Sequence, residues 1–176
     1  MTPRAPKSAF GAPLREEHAV LRRRLDAVED LAITLPILPR VKVLRELADA
    51  LEFLTAHVTP HALAEEAILY PVIDQIAGSS ETTVFMRAEH AEILGRIESL
   101  KLSAVRSQDA VAYEIEQRQL RLQLPGLSAI LRMHLDVEEN VLFPILEASL
   151  SEEEAARLLE EMVTAAHNSF TRGFSR

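Results

Sequence analysis

His61 and Glu65 stand four residues apart, and so do His134 and Glu138. On an α-helix that spacing puts two side chains on one face, about one turn apart. Each pair can therefore aim one imidazole nitrogen and one carboxylate at the same interior point. His18 and His90 add two more imidazoles from other segments, making four His and two Glu in one cluster. Imidazole and carboxylate without sulfur suit iron, and also manganese or zinc. Two open-sided sites bridged by carboxylates favour a di-iron centre, because one carboxylate can span two cations and offset their repulsion. Charged Glu in a helical interior is costly without such a partner.

The elements that must hold these residues repeat. Glu17-His18-Ala19 returns as Glu89-His90-Ala91, and residues 61–71 (His-Ala-Leu-Ala-Glu-Glu-Ala-Ile-Leu-Tyr-Pro) return as 134–144 (His-Leu-Asp-Val-Glu-Glu-Asn-Val-Leu-Phe-Pro). Two helical hairpins of one design imply an all-α bundle with pseudo-two-fold symmetry. The apolar period places a first helix at 14–33, closed by Pro36 and Pro39. A second helix runs from Arg40 to about Ile76 with a kink at Pro60, ahead of the turn at Gly78-Ser79-Ser80. A third covers 81–105 with Val84, Phe85, Ile93, Leu94 and Ile97 on its apolar side. Residues 105–125 are helical in composition but broken at Pro125-Gly126, so the fourth bundle helix is expected from Leu127 to Ser149. Ser151 and Glu154 form a capping-box pattern that should open a C-terminal helix to about Ala166, with a frayed end beyond. The domain plan is thus a flexible tail at 1–13, a four-helix bundle at 14–149, and a C-terminal helix at 150–176.

Composition removes several alternatives. The chain of 176 residues has no cysteine, which excludes thiol catalysis, disulfides, Fe–S clusters and thiolate zinc sites. A net charge of −8 with no basic stripe argues against nucleic acid as a partner. There is no run of about 18 apolar residues for a membrane span and no apolar h-region near Met1, so a cytoplasmic location is expected. Glu-x-x-His pairs of the ferritin type, a His-Glu-x-x-His zinc motif and a Gly-rich phosphate loop are all missing. The Arg22–Arg24 run reads as a solvated face balanced by Asp26, Glu29 and Asp30.

The order His, then His-x-x-x-Glu-Glu-x-x-Leu-aromatic-Pro, then His and the same motif again, resembles the hemerythrin-like (HHE cation-binding) family over residues 14–149. The resemblance implies an up-down-up-down four-helix bundle around an oxo- or hydroxo-bridged non-heme di-iron centre (Fe2+/Fe3+). His18 and His61 would hold one iron, His90 and His134 the other, with Glu65 and Glu138 bridging. Oxygen carriers of the family have a second His on the third helix, one turn from its partner, where this chain has Met86 and Leu94. His57, one turn before His61, is expected to serve as the fifth histidine. Oxygen carriers also place the bridging carboxylate five residues after its His, which would be Glu139; the four-residue spacing and the repeat favour Glu138. Glu66 and Glu139 are expected to be solvated or to orient a ligand imidazole. Tyr70 and Phe143 should fill the core, Pro71 and Pro144 should bend their helices, and His167 should lie on the surface.

The function this implies is binding or sensing of O2, NO or redox state. Alternatives are a peroxide-removing enzyme of catalase or peroxidase type and an iron-homeostasis or storage protein whose fold depends on iron. A metal-free interaction bundle is the least favoured. No signalling segment is attached in the sequence, so a sensor would act through a separate partner or a homodimer.

Overall fold

The structure, a computed structural model, describes residues 10–173, and these form five helices with no strand among them. α1 is Gly11–Thr34. α2 is a continuous helical run over 40–77 with two internal π turns, Leu54–Val58 and Glu65–Leu69. α3 is Val84–Arg106. α4 runs over 110–149 with one π turn, Glu138–Leu142, and α5 is Glu152–Gly173. The result is the all-α, bundle-like fold that the repeat predicts.

Three boundaries and one helix face differ from expectation. α1 begins three residues early and Phe10 is buried, its ring edge-on to Phe143 at 6.2 Å between centroids. Pro13 does not block this start, because it sits in the first turn where amide donors have no helical acceptor. Of the expected tail, residues 1–9 lie outside the described residues, and 10–13 belong to the helix and its core. α4 passes straight through Pro125-Gly126. Pro125 is exposed, so water can solvate the carbonyl that loses its amide partner there. At the start of α3, Val84 and Phe85 are exposed, whereas Met86 and Thr83, the residue just before the helix, are buried. α5 continues seven residues past Ala166; its start is fixed as expected, with Ser151 and Glu154 in a reciprocal capping box.

The π turns share a cause. Each is closed by an amide reaching back five residues: Thr59 to Leu54, Tyr70 to Glu65, and Phe143 to Glu138. Each is followed at once by a proline: Pro60, Pro71 or Pro144. Proline has no N–H for the carbonyl four residues back and its ring crowds that carbonyl; one extra residue in the preceding turn relieves the conflict without breaking the helix. At Pro71 and Pro144 the expected bend is therefore realised as a π turn. Its signature is two successive inward side chains, Leu69 with Tyr70 and Leu142 with Phe143, all buried.

The chain divides into two compact units, which the long helices pass through. One unit (residues 20–59 and 88–134) holds the distal halves of α1 to α4. Within it Glu29 accepts from Ser128 and Arg132, the side-chain amide of Gln117 donates to the Leu35 carbonyl, and Gln123 donates to Ser99. Arg106 of α3 also donates to Glu116 of α4, so as α1 and α3 advance their partners on α4 recede and these helices pack antiparallel. The other unit (residues 1–19, 60–87 and 135–176) carries α5. Its core gathers Phe10, Leu14, Tyr70, Phe143, Leu158 and Met162. Asp74 accepts from the Thr83 amide and hydroxyl at the start of α3, and Arg87 joins Asp74 to the Glu66 carbonyl.

Candidate metal centre

In the α5-bearing unit, α1 contributes His18, α2 contributes His61 and Glu65, and α4 contributes Glu138. One donor atom from each lies within 4.8 Å of the other three. His18, Glu65 and Glu138 have no exposed surface and His61 is 7% exposed. His61 Nε2 is 3.1 Å from a Glu65 oxygen; His18 Nε2 is 3.5 Å from a Glu138 oxygen and 4.0 Å from Glu65. Phe143 packs beside the His18 ring at 5.4 Å between centroids, so the pocket wall there is apolar.

Both imidazoles are braced from behind. His18 Nδ1 donates to Glu139 at 3.0 Å and His61 Nδ1 donates to Glu17 at 3.2 Å. These acceptors fix the tautomer, placing the proton on Nδ1 and leaving the Nε2 lone pair inward. Both Nε2 atoms are buried and make no hydrogen bond. A lone pair facing a carboxylate oxygen at such range is repulsive unless a positive charge lies between them, and a metal cation satisfies both sides. The electrostatics say the same. Burial and then the nearby Glu65 push the Glu138 carboxyl well above its ordinary range. Burial opposes a charge on His61, yet Glu65 and Glu17 outweigh it and hold its proton affinity well above the usual imidazole value. Burial and the His61 charge push His18 down to about 4. The pocket thus demands positive charge and takes it as a proton when nothing better is offered.

Tyr70 has more than a packing role. Its hydroxyl, buried in the same unit, donates to Glu138 at 2.8 Å. The repeat-related Phe143 has no hydroxyl, so the two halves of the motif are chemically unequal. Arg15 pairs with Glu147 at 2.6 Å and reaches the Glu139 carbonyl, steadying the segment that braces His18.

The second histidine pair sits in the other unit. His90 and His134 are buried with ring centroids 4.4 Å apart, and His134 Nδ1 donates to Glu89 at 2.9 Å. His134 lies one turn before Glu138 along α4. Glu138 rather than Glu139 is the buried carboxylate, and Glu139 orients an imidazole. His167 is exposed.

His57, expected as a fifth histidine, stands apart from the buried donors. It is exposed, with its ring 6.1 Å from Phe53. The π turn Leu54–Val58 adds a residue to the turn that carries it, so four-residue spacing there no longer means one face. Sequence reasoning also passed over Glu17 and Glu89. Each precedes its motif's first histidine but braces the second one, on the next helix. Their signal was present, since both halves of the repeat keep a Glu directly before the His.

The chain matches the Hemerythrin HHE cation binding domain family over residues 12–146, most of its length. Neither curated proteins nor solved structures give a match. No helix among the described residues is long and apolar enough to cross a membrane. Matched fold, doubled motif and a buried donor set that demands a cation lead to one conclusion: the chain belongs to the hemerythrin HHE cation-binding family.

Proposed function

We propose that the protein holds a non-heme di-iron centre and uses it to bind a small oxygen- or nitrogen-containing ligand, O2 or NO, reversibly. The observation that carries this is the pair of buried Nε2 atoms on His18 and His61, braced at Nδ1 and turned toward two buried carboxylates. In this reading His18 and His61 hold one ion, His90 and His134 the other, and Glu65 and Glu138 bridge. The sequence repeat and the one-turn step from His134 to Glu138 support the second half. When bound, a ferrous pair supplies a position where O2 or NO can bind and electrons that such a ligand can take up.

The residues around the donors favour binding over turnover. Tyr70 holds one Glu138 oxygen, so that carboxylate cannot swing freely. Glu17, Glu139 and Glu89 hold the imidazole planes of His61, His18 and His134. Phe143 is buried and packs beside the His18 ring, giving the donors an apolar wall there. Donors held this rigidly suit the retention of a neutral ligand.

The test is metal content and optical spectroscopy of protein loaded anaerobically with Fe2+. Two iron per chain, reversible visible bands on cycling O2 or NO, and loss of both in His61→Ala with His134→Ala are expected. One metal per chain would refute the binuclear assignment. Rapid catalytic loss of hydrogen peroxide by the loaded protein would refute the choice of binding over enzymatic turnover.

A further inference from the structure

A pocket of about 240 Å³ opens between the first turns of α1, the His61 segment of α2 and the inner face of α5. His61 and Glu17 are its polar lining; Leu14, Leu159, Met162 and Ala166 are among the apolar residues that complete it. Leu159, Met162 and Ala166 lie three and four residues apart and so share one face of α5. His61 is also the one member of the four-donor cluster with measurable exposure, and it is this pocket that it lines. The pocket therefore brings an apolar opening up to the His61 ring on its Glu17 side, with α5 as one wall. That wall lies beyond residue 146, where the family match ends.

We infer that this pocket is where an uncharged diatomic ligand lodges before reaching the centre, and that α5 sets how fast it does so. The inference rests on the reading of the centre given above. Two features carry it. The volume is ample for a diatomic, since apolar cavities of about 150 Å³ already take up benzene or xenon. The lining offers almost no hydrogen bonds, so ions and strongly hydrated molecules lose more than they gain on entering. Met162 is 5% exposed and fills part of the opening, while Ala166 leaves space that a larger side chain would occupy.

Two substitutions on α5, neither touching the donor cluster, test this: Ala166→Trp to fill the pocket and Met162→Ala to widen it. In metal-free protein, xenon under pressure should shift the His61 ring and Met162 methyl resonances saturably in wild type. Ala166→Trp should abolish the His61 shift, and Met162→Ala should retain it. In iron-loaded protein, stopped-flow NO association should slow at least tenfold in Ala166→Trp and quicken severalfold in Met162→Ala, with iron content unchanged. Absence of any xenon shift in wild type would overturn the pocket as an apolar site. Equal NO rates in wild type and both variants would overturn its role as the route. An iron-loaded wild type that takes up xenon but no NO would sink the functional reading beneath it, a different failure from the first two.

Discussion

Glu138→Gln separates a metal ligand from a structural carboxylate by the sign of its effect. The substitution keeps the side-chain volume and leaves an oxygen to accept from Tyr70, now 2.8 Å from Glu138, while removing the charge. In metal-free protein that charge is a liability: burial first, then Glu65, hold the carboxyl pKa above its ordinary value of 4.5. Replacing buried charges by neutral groups of like volume is often neutral or stabilising by about 1–4 kcal/mol, and a gain in that range is expected near neutral pH. The sign follows from linkage. A carboxyl with a raised folded-state pKa contributes full stability below its unfolded value and loses it as pH rises through the folded value. The variant's advantage should thus be near zero below about pH 4 and widen toward neutrality. With metal the effect reverses. A site at a hundredfold excess of ligand over Kd gains about 2.7 kcal/mol, and a hundredfold weaker site gains about 0.4 kcal/mol under the same conditions. Urea titrations at pH 5 and 7.5, with and without anaerobic Fe2+, measure all four corners. Equal destabilisation of the metal-free and metal-loaded proteins would refute the assignment of Glu138 as a ligand.

Other substitutions probe the neighbours of the cluster. His57→Ala should leave iron stoichiometry intact and change stability by less than about 0.5 kcal/mol, as for an ordinary surface site; loss of an iron on elemental analysis would restore it as a ligand. Glu17→Gln should weaken metal binding by about 10- to 100-fold, the usual cost of losing a group that orients a ligand imidazole, measured by chelator competition. Unchanged affinity would mean that the 3.2 Å contact with His61 does not position it. Tyr70→Phe removes a buried hydrogen bond to a carboxylate and should cost about 1.5–3 kcal/mol in urea unfolding of the metal-free protein. A cost below about 0.5 kcal/mol would return Tyr70 to a purely packing role.

What could be read in the amino-acid order was what repeats or recurs with a fixed period. The duplicated His-x-x-x-Glu-Glu unit marks Glu65 and Glu138 because burial of either without compensation would be costly, so its duplication points to a shared cation. What could not be read depends on backbone geometry that no periodicity reports. Pro125 looks like a stop because a proline in a helix interior costs stability, and only its exposure shows that solvent absorbs the cost. His57 looks like a ligand because four-residue spacing means one face, and only the π turn at Leu54–Val58 shows that the rule lapses there. The apolar face of α5 is legible as a face, but that it closes over His61 and Glu17 is a tertiary fact.

The same backbone device that misplaced His57 serves the site elsewhere. Glu65 and Glu138 are each the first residue of a π turn, preceded by the intact α-helical step from His61 or His134. Upstream, regular geometry holds imidazole and carboxylate one turn apart. Downstream, the extra residue turns two successive side chains inward, and one of these, Tyr70, reaches across to Glu138. A regular helix through 65–71 would carry Leu69 inward and swing Tyr70 about 100° away from it. The proline six residues after each glutamate therefore acts on the centre at a distance: by forcing the π turn, Pro71 delivers the Tyr70 hydroxyl to a buried carboxylate. At Pro144 the same turn delivers only Phe143, which packs beside His18 instead. One duplicated backbone thus yields two unlike supports, a hydrogen bond from Tyr70 on the Glu138 carboxylate and an apolar wall from Phe143 beside the His18 imidazole.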